Sequence, residues 1–132
     1  VKLFTKEWVE SMAETLKNDS DFQKKAEGFD SKFQFVALSD PGAKVKEERA
    51  CGINLPQCNE VWTVKRPDGE VDVILEGKYG NMAKVMLGQT NLLAAIAVRS
   101  VRLKKGSAAR LTTYLGAVNI FIDDSKKIGS EA

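Results

Sequence analysis

The sequence predicts a single domain that mixes helices with strands, the helices at both ends of the chain and the strands between them. Three observations predict it. Trp8, Met12 and Leu16 recur at helical spacing with Val9 and Ala13 beside them, which lays one apolar stripe along a helix. The stretches SKFQFVALS, EVWTVKR and EVDVILE are rich in aromatic and β-branched residues or alternate apolar with polar, the pattern of strands. Leu111, Tyr114, Leu115, Val118, Phe121 and Ile122 then return to the helical period near the end. The length of 132 residues suits one domain, and a chain of that size buries about two thirds of the surface its unfolded form exposes, so its core needs no disulfide or metal.

The first helix runs from Thr5 to Asn18. Ser20 followed three residues later by Gln23 is a capping-box pattern for a second, short helix, whose Phe22, Ala26 and Phe29 face inward and which Gly28 ends. The sequon Asn18-Asp19-Ser20 therefore reads as a helix boundary. Ser31–Ser39 is a mostly buried strand stopped by Asp40-Pro41-Gly42. Lys44–Asn59 has a charged half suited to an edge strand and a Gly/Pro/Asn half suited to a loop, and receives no assignment. Glu60–Arg66 and Glu70–Glu76, separated by Pro67-Asp68-Gly69, are expected to pair as an antiparallel hairpin.

Beyond Gly77, Tyr79, Met82, Val85 and Met86 mark a helix that stops near Gly88. Leu92, Leu93 and Ile96 mark another, capped by Thr90 or Asn91. In VRSVRLKK, Val101 and Leu103 point one way and Ser100, Arg102 and Lys104 the other, as in a half-buried strand. Ser107 caps one continuous C-terminal helix that reaches Ile122, and the polar tail from Asp123 to Ala132 is expected to fray.

Chemistry is bounded by what the chain carries. It has no histidine, which removes the commonest general base near neutral pH, the serine-histidine and cysteine-histidine schemes, and the commonest transition-metal ligand. Cys51 and Cys58 are separated by six residues, a spacing that fits neither a zinc knuckle nor a redox pair, so both are expected to be ordinary thiols and no metal or other cofactor is expected. The glycines form no phosphate-binding loop, and EGKYGN lacks the Walker spacing. The net charge of +2 lacks the strongly basic signature of a nucleic-acid-binding domain. The longest apolar run, LLAAIAV, is far short of a bilayer span, and no apolar leader opens the chain, so a soluble cytoplasmic protein is expected. No enzyme activity is expected.

Two clusters remain. Met82, Met86 and Leu87 with Leu92, Leu93 and Ile96 are either plain core or, because Met side chains are flexible and polarizable, the wall of a deformable apolar pocket. Arg99, Arg102, Lys104, Lys105 and Arg110 are either a solvated strand face or a patch that steers anionic partners such as phospholipid headgroups. A nucleic-acid reading would want aromatics among these charges, and only Tyr114 is near.

The order of elements resembles the sterol carrier protein 2 (SCP-2) sterol-binding domain family, from about Trp8 to Ile122. SKFQFVALSD resembles its first strand, VWTVKRPDGEVDVIL its W-x-V strand and partner, NMAKVMLGQTNLLAAI its helical pair, and VRSVRLKKGSAARL its basic strand, glycine and closing helix. The chain departs from the family in having Asn91-Leu92 where Asn-Pro is common, in the segment Lys44–Asn59, and in ending without a Ser-Lys-Leu address.

The resemblance implies an α+β fold with a five-stranded, mainly antiparallel sheet, helices on one face, and an apolar tunnel between them. It implies a carrier of fatty acid, fatty acyl-CoA or sterol-like ligands; apart from the resemblance, the basic residues lead to an expected transient contact with an anionic membrane, and the chain is expected as monomer or homodimer. On this reading Phe33, Phe35, Trp62 and Val64 form the sheet side of the cavity, and Met82, Met86, Leu93 and Ile96 its helical wall. Leu111, Tyr114, Leu115 and Val118 form a lid, and Arg99, Arg102 and Lys105 a rim for an anionic headgroup. Two alternatives stay open: an interaction module of the same fold with a filled cavity that assists a partner enzyme, and nucleic-acid binding through the basic strand.

Overall fold

The computed structural model describes residues 1–132. Helix α1 (Lys6–Lys17) starts where the Thr5 hydroxyl accepts the Trp8 N–H at 3.2 Å, and it buries Trp8, Val9, Met12, Ala13 and Leu16, the stripe expected from the sequence. Helix α2 (Ser20–Lys25) is capped by Asp19 rather than Ser20: the Asp19 carboxylate accepts the Phe22 N–H at 3.1 Å. A carboxylate satisfies that orphan donor and also complements the helix dipole, so it displaces the hydroxyl. Gln23, freed from a capping box, donates instead to the carbonyls of Leu16 and Pro56 at 3.1 and 2.8 Å.

Five strands form one mixed sheet: β1 (Ser31–Leu38), β2 (Arg49–Leu55), β3 (Val61–Trp62), β4 (Val73–Lys78) and β5 (Arg102–Lys105), in the order β3-β2-β1-β4-β5. Three of the four pairings are antiparallel, and β1 with β4 is parallel. The unassigned segment Lys44–Asn59 supplies β2, whose Cys51 and Ile53 lie beside Phe35 and Phe33 in register. On β1 the odd-numbered Phe33, Phe35 and Ala37 join the main core under the helices, whereas Val36 joins a smaller cluster with Trp62, Val71 and Ile74 on the opposite face.

The expected hairpin does not form. Strand β3 pairs with β2, β4 pairs with β1 and β5, and the chain between them crosses the outer face of the sheet. Gln34 on β1 fixes that crossing. Its fully buried amide oxygen accepts the Trp62 indole N–H at 2.9 Å and the Arg66 backbone N–H at 2.8 Å, while its amide nitrogen donates to the Arg66 carbonyl at 3.1 Å. A buried amide with its bonds satisfied in this way holds an irregular connection against an apolar face, and the Pro67-Asp68-Gly69 signal becomes a 3₁₀ turn (Asp68–Glu70) inside the crossing.

Helices α3 (Tyr79–Met86) and α4 (Leu92–Ala97) follow β4, and Asn91 caps α4 by accepting the Ala94 N–H at 3.1 Å. The C-terminal helix is not continuous. It divides into α5 (Ala108–Thr113) and α6 (Leu115–Lys127) at Tyr114, whose φ of −102° and ψ of 27° leave the helical region. The bend sets the Tyr114 ring on Phe29, stacked at 4.4 Å and 13°, while Arg110 donates to the carbonyls of Gly28 and Phe29. A straight helix would give up that clamp.

The tail is docked, not frayed. Ser130 accepts the Trp8 indole N–H at 2.9 Å, Leu3 N–H donates to the Glu131 carbonyl at 3.0 Å, and Glu131 N–H donates to the Val1 carbonyl at 2.9 Å. The need of a buried indole N–H for an acceptor outweighs the polarity of the tail. No helix is long and apolar enough to cross a membrane.

Candidate functional site

Between the helix-facing side of the sheet and the helices lies a cavity of about 30 Å³ whose twelve lining side chains are all apolar. The sheet contributes Phe33, Phe35, Leu55 and Leu75; the N-terminal helical segment contributes Phe22 and Phe29; Met86 and Leu92 come from α3 and α4; and Ala117, Val118, Phe121 and Ile122 come from α6. Phe35 meets the rings of Trp8 and Phe121 with centroids 6.1 and 5.7 Å apart, so the aromatic sheet face and α6 are joined through ring contacts at one end of the space. A volume of this size holds about one or two water molecules but falls well below the roughly 300 Å³ at which drug-sized ligand pockets begin.

A groove of about 410 Å³ on the surface between the α3–α4 connection and α6 shares Leu92, Val118 and Ile122 with the cavity. Those three side chains are a partition with the apolar interior on one side and solvent on the other. The rest of the groove is mixed: Leu93 and Leu115 are apolar, and Asn91, Asn119, Asp123 and Lys126 are polar. Gly88, with φ of +73°, lies against the Lys126 side chain, so the α3–α4 connection and the end of α6 meet at a residue without a Cβ.

The sequence-expected site residues divide between this region and others. Phe33, Phe35, Met86 and Val118 line the cavity, and Leu93 and Leu115 line the groove outside it. Met82 and Ile96 pack in or against the main core without lining either space, Met82 lying close under Gly77 of β4. Leu111 lines a separate polar crevice with Arg110 and Asp72, and Tyr114 is engaged with Phe29.

Trp62 and Val64 are on the wrong side of the sheet. Trp62 lies opposite Gly52 on the face away from the helices, and Val64 is 80% exposed in the crossing. The cause is the crossing: a two-residue strand followed by an irregular connection does not carry the alternation from which both were assigned. Arg99, Arg102 and Lys105 line neither the cavity nor the groove. Arg99 sits in the left-handed region at φ of 65° after α4, Arg102 is exposed on the edge strand, and the Lys105 ammonium donates to the carbonyls of Asp68 and Val71 at 2.6 Å each. The basic strand is thus largely occupied in holding the crossing, and Lys104 adds to this by pairing with Asp68 and Glu76 at 3.8 Å.

Leu55 lies in the segment without an assignment and Leu75 in the expected hairpin, so the sequence points to neither as a lining residue. Phe22, Phe29, Phe121 and Ile122 carry a signal, their inward positions on the helical pattern, that does not distinguish a cavity wall from core. Charge enters the helical layer at one place. Asp124 of α6, 1% exposed, meets Asp19 at the start of α2, and the Lys127 ammonium stands 3.7 Å from its Oδ1. Burial foremost, and then Asp19, push the Asp124 carboxyl up to about 6. The Phe22 N–H bond holds Asp19 below the usual carboxylate range. The two thiols are buried and free, and burial pushes Cys58 up to about 12 and Cys51 higher still, so neither is a thiolate near neutral pH.

In sequence, neither a protein-family model nor a curated protein matches the chain. Solved structures do match. A crystal structure of sterol carrier protein 2 superimposes with a TM-score of 0.81 at 22% identity, over 95% of this chain and 98% of that one. The solution structure of a conserved hypothetical protein from Thermus thermophilus matches with a TM-score of 0.83 at 22% identity, over 98% of this chain and 91% of that one. The apo form of sterol carrier protein 2 from Yarrowia lipolytica matches with a TM-score of 0.61 at 13% identity, over 89% and 88% of the two chains. The chain has the SCP-2 fold: α+β, with a five-stranded mixed sheet under helices.

Proposed function

We propose that this protein binds lipids, taking an apolar chain into the space between the sheet and α6 and carrying it without transforming it. The observation that supports this most is the wholly apolar lining of an interior space that shares Leu92, Val118 and Ile122 with a surface groove. Solved neighbours of the same fold are sterol carrier proteins, which favours the same class of ligand. A fatty acid or fatty acyl chain suits the space better than a sterol. A slender chain gains about 0.8 kcal/mol for each methylene buried and can enter as Leu92, Val118 and Ile122 rotate apart, whereas a rigid ring system would require α6 to move as a body. The absence of histidine from the chain favours carriage over catalysis.

The narrowness of the cavity favours a second reading, in which the interior stays filled and the fold serves as an interaction module for a partner. One pair of measurements separates the two. Under the carrier reading, organic extraction of the purified protein yields lipid by mass spectrometry, and the stripped protein binds a fluorescent fatty acid that unlabelled palmitate displaces. Protein that yields no lipid and does not enhance the probe's fluorescence would belong to the second class.

A further inference from the structure

We propose that the cleft between the β1–β2 connection and α3 is a binding site for a phosphate-bearing anion, with Arg49 as its fork and Lys44 and Lys84 as flanking charges. The cleft has a volume of about 410 Å³ and shares no residue with the apolar cavity. Its charged side chains are all cationic, and no Asp or Glu lines it.

Arg49 carries the argument. It is half-buried, and its Nη1 donates to the Leu3 carbonyl at 3.4 Å and the Tyr79 hydroxyl at 3.3 Å, with the guanidinium 5.2 Å over the Tyr79 ring. These contacts fix the plane of the fork and leave its Nε and Nη2 N–H groups without a protein acceptor. No ion pair of the protein uses Lys44, Arg49 or Lys84. The contrast with Arg66, which has Glu60 beside it and Trp62 beneath it, is direct. A partly desolvated guanidinium without a counter-charge is costly to keep, and one held in plane is preorganised for two parallel bonds to phosphate oxygens.

The surrounding groups fit that use. The carboxylate on this side, Asp40, is held by the Gly80 N–H at 3.0 Å, and Lys2 is held by the Ala132 carbonyl at 3.0 Å. The Tyr79 hydroxyl accepts from Arg49 and keeps its own proton, since burial raises the phenol above its ordinary value, so it offers a further donor. Lys44 and Lys84 are exposed and stand on opposite banks, the first after the 3₁₀ turn (Pro41–Ala43) and the second on α3. A phosphate on a soluble molecule and a phosphate in a lipid headgroup present the same chemistry to this set.

The test uses NMR of the full chain, following the backbone amides of Lys44, Val45, Arg49, Gly80 and Lys84. Inorganic phosphate and glycerol 3-phosphate are titrated in one arm, and phosphatidylcholine vesicles with and without phosphatidylglycerol are added in the other. Shifts at these amides with the soluble probes assign a free phosphate ligand. Broadening at them only with phosphatidylglycerol vesicles assigns a headgroup. In either case the K44Q/K84Q variant, whose changes are both at exposed positions, loses about fivefold in affinity for each lysine removed. An R49Q variant that keeps the native spectrum loses the rest. No response at these amides in either arm, or a response unchanged in K44Q/K84Q, overturns the assignment, and neither result bears on lipid extraction from the apolar cavity.

Discussion

Trp62 lies flat on Gly52 of the neighbouring strand: a Cβ placed on Gly52 would come within 2.0 Å of the indole Cε2. The Arg66 guanidinium covers the other face of the ring at 3.9 Å, so the indole is held between a backbone and a cation. Gly52→Ala therefore forces the indole out, and with it the Trp62 to Gln34 bond that anchors the crossing. The expected cost is about 2–4 kcal/mol, from overpacking and a buried amide left short of a partner. Urea unfolding measures it, and near-UV circular dichroism should lose the Trp62 signal. A variant with wild-type stability would show that the outer face repacks freely.

Asp124 gives the protein a pH dependence of definite sign. Its folded pKa of about 6 lies above the unfolded value of 3.8, so between those pH values the native state holds more protons than the unfolded chain. Stability from this group is full below about pH 4 and falls as pH rises to about 6. Asp19, lowered in the fold, acts in the opposite direction, losing its contribution as pH falls below the ordinary carboxylate range. No donor reaches Asp124 Oδ2. Asp124→Asn removes the buried charge and supplies a donor for Asp19, so it should raise stability at pH 7–8 by about 1–3 kcal/mol and flatten the fall between pH 4 and 6. Thermal melts of both proteins across that range decide it; equal curves would remove Asp124 from the account.

What the sequence made legible, and what it hid, follows from the range of the interactions. The helical stripes of α1 and α3 and the caps at Asn91 and Ser107 rest on neighbours in sequence, and the structure reproduces them. The partner of a strand is a long-range property. EVWTVKR and EVDVILE met the local criteria for a hairpin, and only Gln34, a buried amide inside SKFQFVAL, signalled that something else had to be hydrogen-bonded on that face. The same holds for the candidate site. Phe33 and Phe35, two apart on a strand of eight residues, share the face that meets the helices, whereas the expected shared face of Trp62 and Val64 is lost because their strand ends after two residues. The Tyr114 break answers to Phe29, far away in the chain, and no local pattern records it.

Ser130 ties the tail to α1 through the Trp8 indole and also donates to the Ser125 carbonyl at 2.6 Å. Ser130→Ala leaves a buried N–H without its acceptor, at a cost of about 1–2 kcal/mol. Since Trp8 packs on Phe121 of α6 with centroids 6.4 Å apart, the loss should also speed hydrogen exchange along the C-terminal half of α6. Exchange that quickens only at residues 129–132 would confine the tail to a local role.

Ala117 separates ligand binding from stability most directly. It is buried on α6 and lines the cavity, and its methyl is the smallest side chain there. Ala117→Val places two further carbons in the space an acyl chain would use. If that space is open, the packing gained offsets the poorer helix propensity of valine, so the unfolding free energy should stay within about 1 kcal/mol of wild type. Under the carrier reading, the lost burial of about two methylene equivalents weakens fluorescent fatty acid binding about tenfold. If the interior is only a filled core, Ala117→Val changes stability through overpacking and leaves any surface binding of the probe as it was. Loss of affinity at constant stability is therefore the result that places a ligand beside α6, and loss of stability at constant affinity is the result that excludes it.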